Sequence, residues 1–300
     1  MKTTLLILAA GMGSRYGGLK QLDSIDEAGH TLLEYSIYDA IEAGFDSFVF
    51  VIRKAFEVEF RAKVASKLDP SLSIEYAFQS IDDLPKGFDC PEVRKKPWGT
   101  AQAVWSARQI VKNPFVVINA DDFYGREAFT LMHQFCQKMG SNQDSELASG
   151  IVTYALKNTL SEHGAVNRGI CCIEKKHLSS IEEYTDIAQA PNDSIVGTNS
   201  KGQDLGLSED SPVSMNFWGF SPNIFPLIES YFKEFLQEHL QNPNSECYLP
   251  SAIDHFIQEK RLTCETLKTK ATWLGVTYPE DKQKIQEALT AIKQTESYFN

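Results

Sequence analysis

The chain lacks the features that would tie it to an oxidising compartment, a membrane or a nucleic-acid duplex. Its six cysteines (Cys90, Cys136, Cys171, Cys172, Cys247 and Cys264) form no C-x-x-C pair, and no histidine stands near them at zinc spacing. They read as reduced thiols used for packing. No apolar run approaches the roughly 20 residues needed to span a bilayer. The apolar stretch from Leu5 to Ala10 is too short for a secretory h-region and runs into glycines and Arg15. It reads as a core strand, and a cytoplasmic protein without a membrane partner is expected. The formal net charge of −11 over 300 residues argues against a nucleic-acid partner, which needs a basic footprint. One basic loop inside an acidic chain is still enough to hold a nucleotide. There is no internal repeat and no independent linker, so residues 1–300 are expected to form one compact unit.

What is present is an alternation of strand and helix patterns. Apolar runs at 4–10, 47–52, 73–78, 115–120 and 147–154 read as strands. Segments 32–43, 55–68, 100–111 and 126–139 carry helical spacing, with Gly44 and Asp69-Pro70 as stops. This order predicts an α/β fold with a mostly parallel sheet covered by helices on both faces. From about residue 156 the pattern changes to short strands with Gly, Asn and Ser turns, and 197–211 reads as a loop. Helices are expected at 222–240, 248–260 and 280–298, and strands at 262–267 and 272–277. The expected division is a half of about 1–155 and a half of about 156–300, the latter with a smaller β-rich subdomain.

The chemistry concentrates at strand ends, where phosphate ligands bind in open α/β sheets. The first strand runs into Gly11-Met12-Gly13-Ser14-Arg15-Tyr16-Gly17-Gly18 and then Lys20. Glycines let backbone N–H groups approach a phosphate, and Arg and Lys supply counter-charge. The G-x-G-x-x-G dinucleotide fingerprint fails because Tyr16 stands at its third glycine. The P-loop fails because Leu19 separates Gly18 from Lys20.

The remaining pattern, Leu8-Ala9-Ala10-Gly11-Met12-Gly13-Ser14-Arg15 followed by Lys20, resembles the signature loop of the sugar-phosphate nucleotidyltransferases. Here Tyr16-Gly17-Gly18 stands where relatives often have prolines. Pro97-Trp98-Gly99-Thr100-Ala101 is similar to that family's P-x-G-T-A segment, and Asn119-Ala120-Asp121-Asp122 to its G-D motif. The resemblance implies a Rossmann-like fold and an NTP substrate held by Ala9, Ala10, Gly11, Met12, Gly13, Ser14, Trp98, Gly99 and Thr100. Arg94 stands roughly where some relatives read the base, in place of the Gln expected for uracil or thymine. Arg15 would neutralise the departing pyrophosphate and Lys20 would hold the α-phosphate, both as catalytic residues. Mg²⁺ is the implied cofactor, with Asp121 as its ligand. Asp122 is expected to point the other way and cap the next helix.

The second half matches more weakly. His163-Gly164-Ala165 to Arg168 resembles the family's acceptor-facing glycine segment, and Ile181-Glu182-Glu183 its I-x-E segment. The resemblance implies acceptor contacts from Gly164, Glu183 and Asn216. Relatives acting on hexose phosphates have a Lys just after that Glu. Tyr184-Thr185-Asp186 stands there instead, so the acceptor phosphate falls to Arg168. Many relatives carry a second metal-binding Asp just after a W-x pair, where this chain has Gly275. Asp281, at a helix start, is the other metal candidate. The implied partners are an NTP and a small phosphorylated acceptor, and homo-oligomerisation stays open. Two alternatives remain: a cytidylyltransferase for phosphocholine, with Tyr184, Phe217 and Trp218 as an aromatic cage, and a non-catalytic nucleotide-binding regulatory relative.

Overall fold

A computed structural model describes residues 2–11, 24–141, 148–190 and 193–299. The elements, in chain order, begin with β1 (Thr4–Leu8), α1 (Leu32–Ala43), β2 (Ser47–Ile52), α2 (Glu57–Lys63) and β3 (Ser73–Phe78). They continue with α3 (Thr100–Trp105), β4 (Phe115–Asn119), β5 (Asp122–Phe123), α4 (Arg126–Ser141) and β6 (Ala148–Ala155). Then come β7 (Val166–Glu174), β8 (His177–Gln189), β9 (Ile195–Thr198), β10 (Asp204–Leu207) and β11 (Pro212–Phe220). The chain closes with α5 (Ile224–His239), α6 (Leu249–Gln258), β12 (Thr263–Lys268), β13 (Leu274–Gly275) and α7 (Asp281–Thr295).

Local chemistry explains the sharper boundaries. Thr31 and Glu34 form a capping box at the start of α1: Glu34 N–H donates to Thr31 Oγ1 at 3.2 Å, and Thr31 N–H donates to Glu34 Oε2 at 2.7 Å. Gly44 ends the helix with φ +100°, a left-handed conformation that glycine adopts without penalty. Alternate strand residues feed opposite cores, as a two-faced sheet requires. Leu5, Ile7, Val116 and Ile118 pack with α1 and α4, while Leu6, Phe115 and Val117 pack with α3, α5 and α6. No helix among the described residues is long and apolar enough to cross a membrane.

Eleven strands form one sheet. The pairs β1–β2, β1–β4, β2–β3 and β6–β12 are parallel. The others are antiparallel, including β4–β11, which joins the two halves. The sheet is therefore mixed, and the mostly parallel expectation holds only for its N-terminal part. The correction has a simple origin: long strands β7 and β8 form a hairpin, and hairpins are antiparallel by construction. β11, β7, β8, β12 and β6 close on one another as a small barrel-like ring. The segment read as a loop at 197–211 contains the β9–β10 hairpin. Two expected elements are shorter than their apolar patterns suggested: α3 ends at Trp105, and only Leu274–Gly275 of the last expected strand pairs, with β5.

Candidate active site

The parallel register aligns the strand ends. Leu8 pairs with Val51 and Asn119, and Ile52 with Phe78. Ala9 and Ala10 are buried at this edge, Ala9 N–H donates to Val51 O at 2.8 Å, and Gly11 is exposed. Met12, Gly13, Ser14, Arg15 and Lys20 lie outside the described residues.

Beside this edge is a cavity of about 960 Å³. The N-terminal half contributes Thr100, Asn119, Asp121 and Asp122, and the ring of strands contributes Arg168, Glu183 and Asn216. α6 supplies Ser251, Asp254, His255 and Gln258, and Trp273, Gly275 and Thr277 line the remaining wall. Residues from distant parts of the chain thus converge because β11 runs from the ring into the parallel sheet.

A hydrogen-bond chain fixes one wall. Trp218 Nε1 donates to Asn216 Oδ1 (3.0 Å), Asn216 Nδ2 to Asn119 Oδ1 (2.7 Å) and Asn119 Nδ2 to Asp122 Oδ2 (2.9 Å). Asn216 adopts φ +61° at the irregularity in β11, where the register slips between Ser214 and Trp218. Asn216 is half-buried and its amide is held by protein groups, so it did not require a ligand hydroxyl to be satisfied. Asp122 shares the cavity with Asp121; it does not cap the next helix as its alternation had suggested. Burial, reinforced by the charge of Asp121, pushes its carboxyl pKa up.

Opposite lies Arg168. Its guanidinium donates to the Asn167 and Thr159 carbonyls and lies 5.0 Å from the Trp273 ring centre. Burial lowers its pKa, and Asp122 and Glu183 oppose that shift. Burial raises the pKa of Glu183, which Arg168 opposes. Glu182, on the other face of β8, accepts from Ser200 Oγ at 2.6 Å.

Four expected contacts fall elsewhere. Arg94 is 1% exposed and donates to the backbone carbonyls of Lys96, Pro97, Asn242 and Ser245. It staples the loop before α3 to the end of α5, so its donors are not available to read a base. Trp98 is buried beneath that guanidinium, with its indole N–H on Ile81 O at 2.9 Å. Gly164 lies on a separate cavity of about 620 Å³, where an added Cβ would meet the Tyr278 hydroxyl. Asp281 accepts from Ser161 Oγ and from the N–H groups of Thr277 and Tyr278, which ties the start of α7 to the preceding loop. Both its oxygens are engaged, and it is not on the main cavity wall. Gly99, at φ +103°, is itself the cap of α3, because a Cβ there would lie 2.5 Å from Cys247 O. Thr100 faces the cavity and its Oγ1 accepts from Leu249 N–H at 2.9 Å.

Two groups were missed from the sequence. The α6 wall had a readable signal: polar residues at 251, 254, 255 and 258 share one helix face, while Ile253 and Phe256 face the core. Gln79, the residue after β3, donates to Gly99 O (3.1 Å) and Gln102 Oε1 (2.8 Å) at the sheet edge. Nothing local distinguished it from any other strand-end Gln.

Mg²⁺ fits the donor chemistry at one place. Asp121 and Asp122 sit together on one wall, hard oxygen donors whose mutual repulsion a dication would relieve. Among the described residues no group of three or more His, Cys, Asp or Glu surrounds a common metal position.

Comparison with known proteins finds the same fold. The fold resembles the inositol-1-phosphate CTP transferase from T. maritima (TM-score 0.64, 13% identity, 98% of both chains). It also resembles a UDP-glucose pyrophosphorylase complexed with UDP-glucose (TM-score 0.56, 16% identity, 97% of this chain and 100% of that one). HddC from Yersinia pseudotuberculosis is similar too (TM-score 0.54, 16% identity, 95% and 99%). No curated protein sequence matches the chain. Residues 4–241 match the Nucleotidyl transferase family, and the chain belongs to that family.

Proposed function

We propose that the protein transfers a nucleotidyl group from an NTP to a sugar 1-phosphate or a similar polyol phosphate. An acceptor phosphate oxygen attacks the α-phosphorus, a new P–O bond forms, the bond from Pα to the bridging oxygen breaks, and pyrophosphate leaves. The attacking oxygen is already anionic near neutral pH, so no general base is needed. The observation that carries this reading is convergence: Asp121 and Thr100 share one cavity with Arg168, Glu183 and Asn216.

The roles follow from charge. Negative charge spreads over phosphoryl oxygens, so catalysis is positioning and electrostatic stabilisation. Arg15 neutralises the pyrophosphate and Lys20 the α-phosphate. Asp121 would hold Mg²⁺, which supplies further neutralisation of phosphate oxygens when bound. Arg168 is the cation on the acceptor side, and its buried Nε has no hydrogen-bond partner among the described residues. Beyond it the wall is neutral or acidic, with Glu183, Thr185, Ser251, Asp254 and Gln258. Such a wall suits hydroxyl groups, which both donate and accept, better than a second phosphate. The inositol 1-phosphate for which one similar protein is named and the UDP-glucose bound in another are polyhydroxylated molecules of that character.

The phosphocholine reading loses its cage. Phe217 and Trp218 are fully buried, Tyr184 is nearly so, and none of the three lines the cavity. A pyrophosphate-release screen of the four NTPs against hexose 1-phosphates, inositol 1-phosphate and phosphocholine tests the proposal. Release with a polyol phosphate is expected. Release with phosphocholine alone, or with no acceptor, overturns it.

A further inference from the structure

Gly275 is the register partner of Asp122 in the β5–β13 ribbon. A Cβ at position 275 would lie 2.8 Å from Asp122 Oδ1 and 2.4 Å from the Trp273 ring. The backbone there is not left-handed, so the requirement for glycine is space and not conformation. The facing strand omits a side chain where the Asp122 carboxylate stands.

That carboxylate is unusually prepared. Asp122 is only 9% exposed. Its Oδ2 takes two partners, Asn119 Nδ2 at 2.9 Å and the Tyr124 hydroxyl at 3.1 Å. Asn119 is held in turn by Asn216, and Asn216 by Trp218. Among the described residues none donates a hydrogen bond to Oδ1, and Asp122 lines the cavity with Gly275 and Asp121. Among the described residues the cation that acts on it electrostatically is Arg168, whose guanidinium also donates to two backbone carbonyls. One oxygen anchored by oriented partners and the other left open is how outer-shell groups aim a metal ligand.

We propose that Asp122 is a direct ligand of the divalent cation beside Asp121, and that glycine at position 275 leaves room both for its carboxylate and for the Trp273 ring. The inference rests on the nucleotidyl-transfer reading and assigns to Asp122 the place that Asp281 does not fill. It makes the cation site a property of two consecutive residues on one strand end.

Mn²⁺ is the probe, titrated into the full-length protein with a non-hydrolysable NTP analogue while electron paramagnetic resonance counts free Mn²⁺. Asp122→Asn, which keeps an acceptor for Asn119, should weaken Mn²⁺ binding by at least about tenfold. Gly275→Ala, which crowds Oδ1 while leaving the carboxylate in the chain, should weaken binding in the same direction. Thermal unfolding of each variant is recorded alongside. If Asp122→Asn and Gly275→Ala both bind Mn²⁺ within about threefold of the parent, or the parent binds none, the assignment is wrong. Pyrophosphate release by the parent is measured in parallel. A parent that binds Mn²⁺ through Asp122 yet releases no pyrophosphate defeats the transfer reading alone.

Discussion

Arg94 and Arg168 show how little a residue type says about its task. Both guanidiniums are held partly by backbone carbonyls, but Arg94 has all of its hydrogen bonds inside the fold, whereas Arg168 faces a cavity with its Nε unpartnered. Replacing Arg94 with Met leaves buried carbonyls without donors and should cost about 2–4 kcal/mol of stability. Denaturant unfolding measures that loss, and the relative rates with the four NTPs should not change. A change of base preference would return Arg94 to the nucleotide site. Arg15 is the opposite case. If it neutralises the leaving pyrophosphate, Arg15→Ala should lower kcat by about 10²–10³-fold, the usual effect of losing one oxyanion donor. Steady-state kinetics within about threefold of the parent would remove it from the mechanism.

Among elements, the short β5–β13 ribbon matters more than its four residues suggest, because it sets Gly275 against Asp122. Its existence was not legible: the apolar alternation at 272–277 suggested a longer strand, and cross-strand register is invisible in one strand's own pattern. The elements that were legible are the self-contained ones. Ser47–Ile52 is buried at every position, and from Phe48 to Ile52 it is the unbroken apolar run expected between two covering layers. α1 carries its own start and stop in Thr31, Glu34 and Gly44. The hairpin of β9 and β10 was read as a loop because the segment 197–211 is polar and Gly-rich, and the Leu205 and Leu207 alternation within it is largely exposed.

α1 also holds a titrating group. Asp39 is fully buried beneath the C-terminal segment, with Arg126 Nε at 3.0 Å and the Tyr298 hydroxyl at 2.9 Å. Burial pushes its pKa up to about 7 despite those partners. A raised folded-state pKa means the folded protein holds the proton more tightly than the unfolded chain. The associated stability is present in full below the unfolded value of about 4 and is lost as pH rises towards 7, at most on the order of 4 kcal/mol. Asp39→Asn should therefore flatten part of the fall in Tm between pH 5 and pH 8. Calorimetry at the two pH values checks this, and an unchanged slope would refute it.

At the scale of the whole molecule, the cavity lies between a parallel sheet and a small ring of strands joined through β11. Ligands that touch both sides should stabilise the native chain as a unit. An NTP with Mg²⁺ and a phosphorylated acceptor, each near 100 times its Kd, should raise Tm by about 5 °C or more. Differential scanning fluorimetry reads the shift, and no response to any NTP at millimolar concentration would count against the nucleotide site.

By itself the sequence determined the family, through patterns carried by contiguous residues such as the glycine-rich loop from Gly11 to Lys20 and the Asp121-Asp122 strand end, and the order of elements in the first half. These are local, set by spacing along one segment, and a segment keeps its spacing whatever surrounds it. Only the tertiary structure decided which distant residues share a wall. It brought Asp122 to the cavity beside Asp121 and moved Asp281 and Arg94 into structural roles. It also turned a mostly parallel expectation into a mixed sheet. The reason is that a polar side chain's task depends on which donors and acceptors reach it, and register and crossover, not spacing, set those neighbours.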